Sequence, residues 1–373
     1  MLSGLQLRRE FLIALGLLAA ILPCAGCGEK TPNNNQAGGA TTKRIVLLNN
    51  TESTFWDAAR AGIKDAVTDL KLADANFTAE MDNNDGTGQG QVDRLKKYYT
   101  RNDIVAVGIS PIDAGNASLA EELEKLKKKG VVIICFDSDL PKDKQHLRDF
   151  YIGTNNVKGG QVLGTAAKNL QPKNNTYVQF VGVDTQQNAV ERMDGFKAAM
   201  GDGFQELERK LDNSDRKIAR DNVRQVLTKH PDVGVLVGIW SYNAPAIADE
   251  VGGPDRKQTV ATFDAEANAI THMQKGNIDV MVVQNPFMMG YLTVKAAYAK
   301  LNKDDATIKE IFPNLGAEGG NIKDTGLKVV IPEKGSPLTA DTFKELNTPI
   351  SQVELLTLPD FQAWLKKYGL TDS

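Results

Sequence analysis

Residues 131–135, Val-Val-Ile-Ile-Cys, sit between a Lys127-Lys128-Lys129-Gly130 helix stop and the ending Phe136-Asp137-Ser138-Asp139. A short run, rich in β-branched residues and apolar throughout, reads as a strand buried on both faces, as in a parallel sheet. It also points to where chemistry collects, because ligands of open α/β sheets sit outside the carboxyl ends of the strands. Two carboxylates at such an end are costly to bury without donors. A polar ligand or an arginine is therefore expected to meet Asp137 and Asp139.

The pattern recurs. Apolar runs at 44–48, 76–81 (weakly) and 104–109 come first, and stretches with helical spacing follow at 58–70, 92–99 and 119–129. A second series begins near Tyr151-Ile152-Gly153. Its strands are expected at 176–183, 233–239, 259–263 and 278–283, with helices at 159–170, from Glu191, and at 288–301. Alternating strands and helices require parallel sheets with right-handed crossovers. The expected fold class is α/β, with two doubly wound parallel-sheet lobes joined by a hinge. Residues 43–150 with 286–322 would form the first lobe. Residues 151–285 with 323–373 would form the second, including a C-terminal extension from about Ile331. Crossings between lobes are expected near 147–153, 284–286 and 314–323.

The first 42 residues read differently. Arg8-Arg9 precede an apolar run at 11–22, a charged n-region and an h-region too short for a comfortable membrane span. Cys24-Ala25-Gly26-Cys27 resembles a bacterial lipobox, which makes residues 1–27 a lipoprotein signal peptide and Cys27 the lipidated residue. Arg8-Arg9-Glu10-Phe11-Leu12 also resembles a twin-arginine export signal. Residues 28–42, with Pro32 and several Asn and Gly, have the composition of a flexible tether. A lipid plus a tether holds a body at a membrane without spanning it.

Composition excludes several classes. With 44 Lys+Arg against 47 Asp+Glu and no basic stripe, nothing favours nucleic acid. Beyond Cys27 the one cysteine is Cys135, inside an apolar strand, so no disulfide framework exists and a buried small hydrophobe is expected. The run Asp82-Asn83-Asn84-Asp85-Gly86-Thr87-Gly88 invites a calcium reading but fails the loop register. With Gly86 sixth, Met81 falls first; with Gly88 sixth, Arg94 takes the place of the final Glu. No metal and no cofactor are expected.

The strand ends share a chemistry. Phe55-Trp56 supply flat aromatic faces suited to the C–H face of a sugar ring. Asp137, Asn188, Arg192, Asp264 and Gln284 supply donors and acceptors for hydroxyls, and Trp240 with Asn243 ends another strand. Each has a plainer alternative. Phe55, Trp56 and Trp240 could be core residues, and Arg192 with Asp194 a surface ion pair. Asp264 could cap a following helix, and Gln284 could act only at a hinge.

Taken in order, Phe55-Trp56, Ser110-Pro111-Ile112-Asp113, Phe136 to Asp139, Asn155-Asn156, Glu191 to Phe196, Thr262-Phe263-Asp264 and Gln284 resemble the periplasmic monosaccharide-binding proteins of bacterial ABC transporters, ribose-binding type. The resemblance spans about residues 44–330. It implies that Phe55 and Trp56 stack on a sugar, and that Asp137, Arg192, Asp264 and Gln284 bond its hydroxyls. Ser53 and Ser110 stand where asparagines are usual, Ser138 where an arginine often follows, and Trp240 where a polar residue is common. A sugar other than ribose is therefore expected, with Ser53, Ser110, Ser138, Asn188 and Trp240 in the site. The implied protein is a monomer held to the membrane only by its lipid anchor. It catalyses nothing and passes a monosaccharide to an ABC permease from the periplasmic or extracytoplasmic side. Trp56→Ala is expected to abolish binding with the ligand-free melting temperature nearly unchanged. Two rivals remain: a receptor of the same fold feeding a membrane sensor, and a secreted glycoside hydrolase using Asp137 and Asp139. Residues two apart on a strand point to opposite faces, which weighs against the hydrolase.

Overall fold

A computed structural model of the chain describes residues 41–253, 255–348 and 352–373. The expected signal peptide with Cys27, and most of the expected tether, lie outside the described residues. Among these residues no helix is long and apolar enough to cross a membrane.

The first half begins with β1 (Lys43–Leu48), α1 (Phe55–Asp69), β2 (Phe77–Asp82) and α2 (Gly88–Tyr99). It continues through β3 (Ile104–Ile109), α3 (Ala117–Lys128), β4 (Val132–Asp137) and β5 (Phe150–Gly153). Helix starts follow local chemistry: Thr87 caps α2 by accepting from the Gly90 N–H at 2.9 Å, and Asn116 caps α3. The Asp82–Gly88 run serves this start. Asp85 accepts from Thr87, and Asp82 pairs with Arg94 and Tyr98.

The second half runs α4 (Asn156–Asn169), β6 (Thr176–Val181), α5 (Gln187–Met200) and β7 (Gln205–Leu211). Then come α6 (Arg216–Lys229), β8 (Val235–Gly238), α7 (Asn243–Glu250), β9 (Thr259–Phe263), α8 (Ala267–Gln274) and β10 (Val280–Val283). The chain returns to the first half with α9 (Pro286–Leu301), α10 (Asp305–Ile311) and β11 (Ile322–Asp324). It ends in the second with β12 (Leu327–Ile331), β13 (Val353–Thr357) and α11 (Leu358–Lys367).

Each half is a doubly wound sheet. The first has the order β11-β5-β4-β3-β1-β2, all parallel, and the second β13-β12-β10-β9-β8-β6-β7. In the second sheet only the β10–β12 pair is antiparallel. Both halves share one winding, with the chain reversing direction between their first and third strands, β1/β3 and β6/β8. Such switch points open a crevice at the carboxyl ends of the strands. Apolar clusters cover both faces of each sheet: Trp56, Phe136 and Phe150 under α1 and α9, with Ile133, Cys135 and Leu123 on the opposite side. The second sheet has Phe196 and Phe263 on one face, Phe180 and Phe361 on the other.

Two differences from expectation have physical causes. First, β5 belongs to the first sheet, pairing Tyr151 with Cys135, so the chain crosses after Gly153 rather than after residue 150. The later crossings follow Gln284 and Asp324. Second, β7 and α6 were not foreseen. Gln205–Leu211 is a polar, half-exposed edge strand, so it lacks the apolar run that marks a central one. The chain beyond Ile331 adds β13 and α11 to the second half.

Candidate functional site

Five elements of the second half and three of the first meet at a cavity between the sheet ends. Its walls include Ser53, Phe55, Trp56 and Asp137 from the first half. From the second they include Asn188, Arg192, Trp240, Asp264 and Gln284. The cavity leaves about 70 Å³ for water. At roughly 10–15 Å³ per water that is room for a handful of molecules, the displacement of one small polar ring.

The backbone aims the two aspartates. Asp137 at the end of β4 and Asp264 just after β9 both adopt left-handed conformations, with φ of 62° and 59°. Residues other than glycine rarely hold this conformation, and Asp, like Asn, is among those that tolerate it. At Asp137 the turn is closed by the Ser138 N–H donating to Phe136 O at 2.7 Å. Each sheet thus ends in an acid turned into the gap.

Asp137 is 3 % exposed. It accepts from Ser110 Oγ at 2.7 Å and from Asn188 Nδ2 at 3.5 Å, the latter reaching across from the other half. Burial pushes its carboxyl up, opposed by the Arg192 charge and the Ser110 bond. Asp264, also 3 % exposed, accepts from Gln284 Nε2 at 3.1 Å through both oxygens, and Arg192 Nη1 lies 3.9 Å away. Burial raises Asp264 to about 6 against the pull of Arg192 and Gln284.

Arg192 is 1 % exposed and lies over the Phe263 ring at 4.6 Å. It donates to Asn156 Oδ1 at 2.9 Å and Ile239 O at 3.2 Å. A close helix contact puts it there. α4 and α5 touch through glycines: a Cβ at Gly160 would lie 2.1 Å from Arg192 O, and one at Gly195 2.1 Å from Val157 O. Asp194 faces the other way and pairs with Arg209, so the plainer alternative, an Arg192–Asp194 surface pair, does not form.

Three buried polar atoms on these walls have no partner among the described residues: Asn188 Oδ1, Arg192 Nη2 and Trp240 Nε1. One is an acceptor and two are donors. Buried groups are rarely left so, because each unsatisfied one costs about 1–3 kcal/mol.

Some expectations need correction, and several of the plainer alternatives fall away. Ser110 is not a wall; it stands behind Asp137 and bonds its carboxylate. Ser138 is not a wall either, being fully buried beside the tight turn. Asp264 does not cap α8, whose N-cap position is Glu266. Asp139 turns away from the cavity and is held by Arg148 at 2.6 and 2.7 Å, so Asp137 and Asp139 form no acid pair. Trp56 is 1 % exposed and edge-packed on Phe55 and Phe136, so it is core as well as wall. Gln284 serves two roles, since its Oε1 also accepts from Thr154 at the first crossing, at 3.0 Å. Cys135 is fully buried, and burial pushes its thiol well up. Among the described residues no cluster of His, Cys, Asp or Glu is placed to hold a metal ion.

The sequence reading missed further walls: Asn50, Thr51 and Ile112 in the first half, and Gln186, Ser214, Ser241 and Tyr242 in the second. All but Ser214 adjoin strand ends the pattern had marked. Ser214 follows the unforeseen β7.

A family model described as a periplasmic binding protein domain matches residues 45–305. The ribose import binding protein RbsB of Bacillus subtilis is 22 % identical over 212 residues, 56 % of this chain and 68 % of that protein. The xylose/arabinose-binding protein XylF of Sulfolobus acidocaldarius is 21 % identical over 282 residues, 70 % of this chain and 67 % of its own length. Among solved structures, an ABC transporter solute-binding protein from Burkholderia graminis, in complex with D-arabinose, superposes with a TM-score of 0.67. It is 22 % identical and covers 81 % of this chain and 99 % of itself.

Proposed function

The chain belongs to the periplasmic binding protein domain family, and from that premise we propose that it captures a monosaccharide in the cavity between its two sheets. It is a binding protein, not an enzyme. The observation that carries the sugar reading is the set of partnerless atoms on one small cavity: Asn188 Oδ1, Arg192 Nη2 and Trp240 Nε1, beside two buried carboxylates. A ligand that satisfies them must donate and accept at several adjacent positions. A ring of hydroxyls does so, because each hydroxyl is donor and acceptor at once. Phe55 and Trp56 offer the apolar surface that the C–H face of such a ring needs.

The magnitudes are adequate. Hydrogen bonds to charged groups contribute about 1.5–3 kcal/mol each, and micromolar affinity needs about 8 kcal/mol after ordering costs. Asp137, Arg192 and Asp264 with the aromatic contact reach that range. In this reading Ser53, Asn188, Trp240 and Gln284 complete the contacts, Ser110 holds Asp137, and Ser138 makes none.

The rest of the proposal follows from the family and the first residues. Cys27 carries the lipid, residues 28–42 give reach, and the closed monomer delivers its sugar to an ABC permease on the extracytoplasmic side.

A melting-temperature screen of the purified protein against pentoses, hexoses and polyols tests the reading. One or a few aldoses should stabilise the protein and be recovered unchanged. Stabilisation by none of them, or release of product from a glycoside, would overturn it.

A further inference from the structure

The wall after β8 carries Trp240, one of the positions where the sequence departs from the ribose-type pattern. The placement of this tryptophan is informative. The side of its ring formed by Cε3 and Cζ3 is seated against the Gly182 backbone; a Cβ there would lie 2.5 and 2.0 Å from those atoms. They lie on the opposite side of the indole from Nε1, so this seat turns the N–H away from the end of β6. Nε1 is buried, has no acceptor among the described residues, and belongs to a residue that lines the cavity.

A buried carboxylate fixes the frame around it. Asp212, 1 % exposed, accepts from the Tyr242 hydroxyl, from Asn243 Nδ2 at 3.0 Å and from the Ser214 N–H at 2.9 Å. With its Nδ2 committed to Asp212, Asn243 presents Oδ1 to the Trp240 backbone N–H at 3.0 Å. One acid from the end of β7 thereby ties together Trp240, Tyr242 and Ser214, three walls of the cavity. The Tyr242 proton is spent on Asp212, so its oxygen can meet a ligand only as an acceptor.

We propose that Trp240 is a specificity-determining residue that reads one acceptor oxygen of the ligand through its indole N–H, and that Asp212 is the positioning residue that aims it. The inference rests on the monosaccharide reading above and adds which hydroxyl the protein checks. A site built to bond a particular oxygen rejects the analogue that lacks it, because its own buried donor is then left unpaired.

The test is a set of binding titrations with D-glucose, D-galactose, D-arabinose and D-xylose, and with the monodeoxy analogues of whichever binds. In the wild type, one deoxy position should weaken binding roughly 10–100-fold. Trp240→Phe keeps a ring against Gly182 and removes the N–H. It should weaken the parent sugar by a similar factor while binding that one deoxy analogue as the wild type does. Asp212→Asn should lose the same discrimination and keep discrimination at the other positions, an outcome that general loosening would not produce. Should Asp212→Asn fail to fold, Trp240→Phe alone decides the matter. Parent binding unchanged in Trp240→Phe, or an equal loss for every analogue, overturns this inference and leaves the sugar reading standing. A wild type that binds none of the pentoses, hexoses and polyols in the screen above overturns both.

Discussion

Trp56 shows how one residue can belong to the site and to the core at once. It closes the cavity beside Phe55 and is also packed edge-on against Phe136 in the first sheet's apolar layer. Trp56→Ala is therefore expected to lose ligand binding and also about 3–5 kcal/mol of stability, the cost of removing a large buried aromatic. Chemical denaturation checks this: an unchanged unfolding midpoint would show that the ring is not core. Asp264 makes a different prediction. Its carboxyl ordinarily titrates near 3.8, and burial lifts it to about 6 in the folded chain. Between those values the folded state binds more protons than the unfolded one, so ligand-free stability falls as pH rises through this window. Each pH unit costs up to roughly 1.4 kcal/mol. Asp137 shifts in the same direction, also through burial. Hydroxyl donors favour the ionised carboxylates, so sugar affinity is expected to rise with pH through about 6. Denaturation of wild type and Asp264→Asn from pH 4.5 to 7 checks the first part, where the variant should show the shallower slope; parallel slopes would discard it.

At the scale of elements, the contact between α4 and α5 decides where Arg192 stands. Gly160 packs against the Arg192 carbonyl with no room for a methyl group. Gly160→Ala is expected to force the helices apart, costing about 1–3 kcal/mol by overpacking. It should weaken ligand binding as well, because the guanidinium moves with α5. A variant that binds as the wild type would separate helix packing from the site. The same contact shows what the sequence made legible. Apolar runs ending in polar clusters identified nearly every central strand, because strands buried on both faces must be apolar throughout and their ends must not be. Asp137, Asp264, Arg192 and Gln284 stood at those ends and do meet at one cavity. The edge strand β7 was illegible, since an edge that faces water gains by carrying Gln, Glu, Arg and Lys. With β7 missed, Asp212 and Ser214 could not be placed. Ser110 and Ser138 sit at marked ends too, and only the turn around Asp137 shows that one stands behind the acid and the other off the wall. Spacing along a chain does not encode such an angle.

At the scale of the molecule, the two sheets meet through three crossings and through the cavity itself. Gln284 links both. It bonds Asp264 on the cavity wall and Thr154 at the first crossing, where the chain leaves β5. Across the gap, Asn188 on α5 reaches Asp137 on β4. A neutral amide to a buried acid at 3.5 Å is a weak tie, and closing the gap confines buried carboxylates without giving them full partners. The closed arrangement should therefore be only marginally favoured until a ligand supplies the missing donors. Sugar binding then shifts the population toward closure by its differential affinity for that state. Small-angle scattering should show a smaller radius of gyration when the sugar is added. The melting temperature should rise by several degrees as well, since ligand at a hundred times Kd contributes about 2.7 kcal/mol. Gln284→Ala removes a tie at both places, so it should weaken binding and leave the ligand-free radius of gyration equal to or larger than the wild type's. If scattering shows the same compact shape with and without sugar while binding is intact, closure does not depend on the ligand, and the crossings serve only to hold two preformed walls in register.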